Sequence, residues 1–187
     1  RVQDASAIMR AAPDQASPFT ISFPSLALNV PSAFSAPVSI SNVQVTGAVV
    51  SSQRTIRFDR IRAMSGSAVL EGAGKFYWAE ANDDRVHPGI QLDARITGAL
   101  GVRDVIQLWP VGLAEGTRGF LEHSLTGGQV SNVVAHLDIQ PNDFGAEAWR
   151  TQAMDVRFDI ADGAMRFLST MSPVTNGRGS AVLKGNS

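Results

Sequence analysis

The sequence predicts a mainly β protein: a curved antiparallel sheet, open like a groove or taco, with two short helices inserted mid-chain. Three observations carry this. Apolar residues alternate with polar ones through segment after segment, the period of strands with one dry and one wet face. Residues 101–128 abandon that period for helical spacing. Gly47, Gly72 and Gly74 occupy alternating positions where a packed sandwich would want bulk, which reads either as ordinary bulges of a closed sandwich or as a curved sheet whose face its own side chains do not fill.

The chain has 187 residues, about one domain's worth, and 44% of them are apolar, enough for a core. Residues 1–17 are Ala-rich and read as a leader with one short helix from Asp4 to Ala11, capped by Asp4 and stopped by Pro13. Residues 18–187 read as one β-rich domain with a helical insertion at about 102–126.

Within it, Phe19, Ile21 and Phe23 alternate with polar residues, and Leu26, Leu28 and Val30 with smaller or polar ones. The same rule covers Val43, Val45, Gly47 and Val49, then Ile56 and Phe58. Two longer series follow, Ala68 to Trp78 and Ile90 to Ile96. Val102, Val105, Ile106 and Trp109 form a helical stripe that Pro110 ends; Leu113 to Leu125 form a second, with Gly127-Gly128 as its stop. A third helical turn is expected at Gly145–Trp149. Val156, Phe158 and Ile160 resume alternation. Asp162-Gly163 and Asn176-Gly177 read as tight turns, since these residues tolerate positive φ, with a last strand from Ser180 to Lys184. GSAVLEG at 66–72 recurs as GSAVLKG at 179–185, either a duplicated β unit or a chance match of common residues.

Chemistry is sparse. Sixteen basic and 17 acidic residues give a net charge of −1, without the basic excess of a nucleic-acid binder. There is no Cys, hence no disulfide, thiolate ligand or Cys nucleophile. His87, His123 and His136 lack the spacing of a metal site. His87 is expected in a loop, His123 late in the second helix, and His136 facing water on a strand. Asp83-Asp84 lacks the spaced oxygens of a calcium loop, and Gly72–Lys75 lacks the frame of a phosphate loop. No nucleophile elbow or dinucleotide fingerprint occurs, so neither enzyme chemistry, cofactor nor metal is expected. No apolar run reaches the roughly 20 residues of a membrane span. The chain opens on Arg1 and closes just after a strand-like run, and reads as a segment of something larger.

Leu108-Trp109-Pro110, Leu113, Thr117 to Leu121, and Gly127-Gly128-Gln129-Val130 together resemble a signature of large AsmA-like envelope proteins of the YhdP type. The strand blocks Gly66–Trp78 and Pro88–Leu100 before it, and Phe158–Asn186 after it, are similar to the blocks that flank that signature. Ser172-Pro173 replaces a usual Pro-Pro, and Phe120 a usual Trp. The resemblance covers roughly residues 38–187. It implies a segment of a long periplasmic β-groove whose inner-membrane anchor lies outside this chain. It further implies a role in moving phospholipid between inner and outer membranes, without catalytic residues. The implied partners are phospholipid or another acyl-chain lipid, and the rest of the same polypeptide.

The residues allow the same reading and two others. The apolar members of the alternating runs are the groove candidates: Val43, Val45, Ile56, Phe58, Leu70, Ile90, Leu92, Ile96, Val156, Phe158 and Ile160. They would equally form a closed core. Trp109, Phe120 and Leu121 are expected to pin the helices to the sheet. A scaffold or assembly factor would use its sheet edges on other proteins. A closed sandwich binding carbohydrate would want exposed aromatic platforms, for which Tyr77, Trp78 and Trp149 are placed.

Overall fold

In a computed structural model, the structure describes residues 2–3, 6–9, 16–29, 31, 34–80, 82, 84–109, 115–143, 150–166 and 172–185. Alternation builds eight long antiparallel strands: β3 (Ser17–Leu28), β4 (Val38–Val50), β5 (Thr55–Ser65), β6 (Ala68–Glu80), β7 (Val86–Gly101), β8 (Leu125–Ile139), β9 (Met154–Met165) and β10 (Val174–Lys184). They pair in chain order as one curved, unclosed meander.

The N-terminal segment departs from the predicted helix. Val2–Gln3 (β1) and Ser6–Met9 (β2) pair antiparallel with β3. The open edge of β3 offers a full ladder of backbone partners, and this outweighs the weak helix propensity of a short, isolated segment.

The helical stripes fold as expected. α1 (Val102–Leu108) follows Gly101 directly, and α2 (Glu115–Ser124) runs straight into β8. Gly127-Gly128 is therefore not a helix stop but lies inside β8. His87, expected in a loop, lies in β7. Residues 145–149, where a further helical turn is expected, fall outside the described residues, and 3-10 turns flank them at Pro141–Asp143 and Thr151–Ala153.

The two expected tight turns are also something else. Asp162 and Asn176 do take positive φ, at 52° and 58°, but inside β9 and β10, where Gly163 and Gly177 face each other across a register shift. The chemistry that suits a hairpin turn equally suits a bulge, where one residue enters the left-handed region. Asn42 (φ 49°) and Asn132 (φ 52°) sit at two further shifts. Bulges strengthen twist and bend strands, so these positions help the sheet to curve.

The repeated heptapeptide lies in β6 and again in β10, two strands that run the same way. One cross-sheet row connects Gly72, Ala94, Ala135, Val156 and Leu183, so the copies sit two residues out of level.

The core lies under the helices. Val102, Leu125, Val130 and Phe158 are buried together, with Val105, Ile106, Leu121, Val133, Val156, Ile160 and Leu183 packed around them. A network between Asp143 and Arg150 closes the connection from β8 to β9. Asp143 is 4% exposed. Its carboxylate accepts from the Gln140 N–H (2.7 Å) and from Arg150 Nε and Nη2 (3.1 and 3.0 Å). Arg150 Nη2 also donates to the Asp138 carbonyl at 2.6 Å. Burial pushes the Asp143 carboxyl up, but the hydrogen bonds from Arg150 and Gln140 outweigh it and hold it below the ordinary carboxylate value.

Candidate functional site

Side chains directly opposite each other in a ladder share a face. One unbroken row runs Phe19, Gly47, Phe58, Gly74, Leu92, Leu137 and Met154 from β3 to β9. The next runs Ile21, Val45, Ile61, Gly72, Ala94, Ala135, Val156 and Leu183. A third runs Val49, Ile56, Phe76, Ile90 and Ile139. Leu70, Ile96 and Val133 align in a fourth. A register shift between Phe58 and Ile61 keeps β5 in phase with its neighbours. The result is one apolar face. From β3 to β9 it crosses six strand spacings, about 29 Å at about 4.8 Å each.

The opposite face is charged. Arg57 pairs with Asp59 (2.7 Å), Arg60 with Glu71 (3.3 Å), and Arg157 with Asp155 (3.0 Å). His136 lies on this face, its Nδ1 2.7 Å from Asp93 Oδ1. These pairs are solvent-exposed, so each contributes at most about 1 kcal/mol. Their consequence is to mark this face as the wet one.

α1 packs on β7 and β8, and α2 on β8, so the helices roof only part of the apolar face. Beneath them lies a cavity of about 300 Å³, and the nineteen lining residues among the described ones are all apolar. The sheet contributes Leu70, Leu92, Ala94, Ile96, Val133, Ala135, Leu137, Met154, Val156 and Phe158; the roof contributes Val102, Val105, Ile106, Leu108, Trp109 and Leu121. Beyond the roof the face stays half-exposed, at Phe19, Ile21, Val45, Ile56, Phe58 and Ile61. Phe19 and Phe58 meet edge to face at 6.2 Å. A shallower depression of about 460 Å³ ends the face at Val49, Ile56, Trp78 and Val86, with Phe76 edge to face on Trp78 at 4.7 Å.

The groove candidates fall on this one face but divide among its parts. Leu70, Leu92, Ile96, Val156 and Phe158 line the cavity. Ile56 lines the shallow depression. Val45, Phe58 and Ile90 lie in the rows between or beside them. Val43, 6% exposed, is buried near one end, and Ile160 packs against the core cluster. Trp109 and Leu121 lie where the helices meet the sheet, Trp109 lining the cavity and Leu121 also packed on the core. Phe120 is in α2, but its side chain falls outside the described residues, as does Trp149. Tyr77 pairs opposite Gly89, and Lys75 Nζ lies 5.3 Å from its ring centroid.

Sequence reasoning left out Val133, Ala135 and Leu137. Their alternation was visible in the sequence. Met154, 1% exposed, was missed as well, although it opens β9 in phase with Val156, Phe158 and Ile160. The glycines also act differently from expectation. A Cβ at Gly47 would fall on the Arg57 carbonyl, and one at Gly74 on the Gln91 carbonyl. Gly47 permits close approach of β4 to β5, and Gly74 of β6 to β7; they are not sites of missing bulk.

Among the described residues no group of three or more His, Asp or Glu is placed to hold a metal, and no helix is long and apolar enough to cross a membrane. Comparison of the chain with models of known protein families, with curated proteins and with solved structures finds no match.

Proposed function

We propose that this chain is a non-catalytic lipid-binding segment whose apolar face holds acyl chains, as part of a periplasmic groove that conducts phospholipid between inner and outer membranes. The observation that carries the acyl-binding part is the unbroken apolar row from Phe19 to Met154, running from an open face into the all-apolar cavity under α1 and α2. The periplasmic setting, the transport role and the anchor outside the chain rest on the resemblance of residues 38–187 to AsmA-like proteins.

The dimensions suit a lipid tail. One leaflet's hydrocarbon is about 15 Å, half of a bilayer core of about 30 Å. The apolar face is about twice that length. Burying about 12 methylenes contributes about 10 kcal/mol gross at about 0.8 kcal/mol each. Association costs offset roughly 4–15 kcal/mol of it. A modest net affinity of this kind lets a lipid be handed on. The charged face opposite keeps the other side of the sheet in water, and near-neutral net charge avoids trapping one headgroup.

Native mass spectrometry of the purified chain, with extracted lipids identified, tests the reading. Wild type should carry phospholipid or fatty acid. Phe58→Asp and Leu92→Asp should lose it without unfolding. A lipid-free, monodisperse wild type would instead favour a scaffold. One observation supports that second reading: among the described residues β10 pairs only with β9 and so presents an eleven-residue open edge, a ready template for a partner strand.

A further inference from the structure

Arg118 stands out among the charged residues. Among the described residues, the other salt-bridged Arg and His side chains are at least 37% exposed, whereas Arg118 is 13% exposed. It belongs to α2, three residues before Leu121, which lines the cavity. A spacing of three puts both on one side of the helix. Arg118 therefore sits next to Leu121, beside the roof of the cavity.

Its hydrogen bonding is incomplete. Nε and Nη2 are shut off from solvent and donate to no acceptor. Glu122 Oε1 approaches Nη2 to 2.7 Å, yet out of line for a hydrogen bond, and the Glu122 side chain is one-third exposed. A buried guanidinium with idle donors is costly, and its planar fork matches a carboxylate or phosphate bidentately.

We propose that Arg118 is the anchor for the oxyanion headgroup of a single-chain amphiphile whose tail lies in the helix-roofed cavity. This inference rests on the acyl-binding reading above and adds the headgroup class. A cavity of about 300 Å³ is at the small end of ligand sites, which favours one chain over two. Glu122 is the internal stand-in that the headgroup displaces toward water.

The test uses the 187-residue chain and four probes: decanoate, decyl phosphate, decanol and inorganic phosphate, measured by isothermal titration calorimetry. Both anionic amphiphiles should bind about tenfold or more tightly than decanol. R118Q should erase that margin while leaving decanol within about twofold, because the tail's contacts are untouched. R118K should keep part of it, since a point charge remains without the fork. E122Q should tighten decanoate severalfold by removing the competing carboxylate.

Equal binding of decanoate and decanol to wild type would overturn the inference and leave the acyl-binding reading intact. So would R118Q weakening both alike with a fall in Tm, the mark of a structural arginine. Inorganic phosphate binding as tightly as decyl phosphate would overturn the acyl part of the site. Failure of all three ten-carbon probes to bind wild type would sink the acyl-binding reading itself, and this inference with it.

Discussion

Ala135 gives the sharpest way to distinguish a binding cavity from an ordinary core. It lies in the floor of the cavity, opposite Ala94 on β7 and Val156 on β9. Ala135→Leu adds three carbon groups to that floor. At about 0.8 kcal/mol per buried group the gain has a ceiling of about 2.4 kcal/mol. Local readjustment of Ala94 and Val156 reduces it, so about 1 kcal/mol of net stabilisation is expected, in the range of cavity-filling changes. For a chain of this length that is a rise in Tm of about 2–4 °C. Lipid occupancy should fall at the same time, because the added side chain occupies tail space. Circular dichroism melts and native mass spectrometry, run on one preparation, read both quantities. A close-packed core would respond in the opposite way, losing about 1–3 kcal/mol to overpacking. A destabilised A135L with unchanged lipid content would refute the reasoning.

Three further outcomes are expected. Asp143→Ala removes the acceptor for three hydrogen bonds and leaves Arg150 its contacts to Asp138; with Arg150 37% exposed, the loss should be about 2–3 kcal/mol by chemical denaturation, short of the full cost of a buried pair. The Asp143 carboxyl is held low in the fold, so its contribution is present above the ordinary carboxylate value and lost as pH falls through the lowered one. The stability gap between wild type and D143N should accordingly shrink on acidification, and a gap that widens would contradict the assigned direction. Met154→Ala, at a site 1% exposed, should cost about 2–5 kcal/mol, and a shift under about 1 kcal/mol would mean the cavity floor collapses freely. Replacing residues 102–124 by a short Gly-Ser link uncovers Leu100, Leu125, Val130 and Phe158, and sedimentation should then show self-association; a monomer would show that the helices shield nothing essential.

Most of the architecture is legible in the sequence because alternation is a property of single strands. Ile90, Leu92, Ala94 and Ile96 announce one face of β7 without any knowledge of its neighbours. The helices are legible for a related reason: Val102, Val105 and Ile106 must share a side to reach Leu125 and Phe158. What escapes is set by pairing. Asp162-Gly163 is a turn or a bulge depending on whether a strand continues past it, and β10 supplies that answer through Gly177. Val2–Gln3 and Ser6–Met9 are strands only because the edge of β3 is open to them. The groove residues separate into cavity, open face and core by where the helices sit, which no single strand encodes: Leu92 lines the cavity, while Phe58, two strands away in the same row, has no roof. Arg118 escapes because its significance is a burial, and a charged residue at helical spacing otherwise reads as a solvated face.

The fold is unusual in being two layers thick over only part of its width. A sheet with an apolar face ordinarily buries it against a second layer. Here α1 and α2 supply that layer over β7 and β8, and the rows on β3, β4 and β5 run on beyond it, carrying Phe19, Ile21, Val45, Phe58 and Ile61 half-exposed. The charged pairs on the other face fix which side belongs in water, so the unroofed side is the one that calls for a cover. A protein partner would have to match this apolar surface residue by residue. An acyl chain needs no such match, because hydrophobic burial is non-directional and scales with area alone. The unbroken row from the open face into the roofed cavity allows a tail to lie anywhere along it without meeting a polar step. A surface that is apolar, continuous and free of side-chain hydrogen-bonding groups along its central rows sets an affinity but little positional preference, and that is the physical requirement for a ligand that slides.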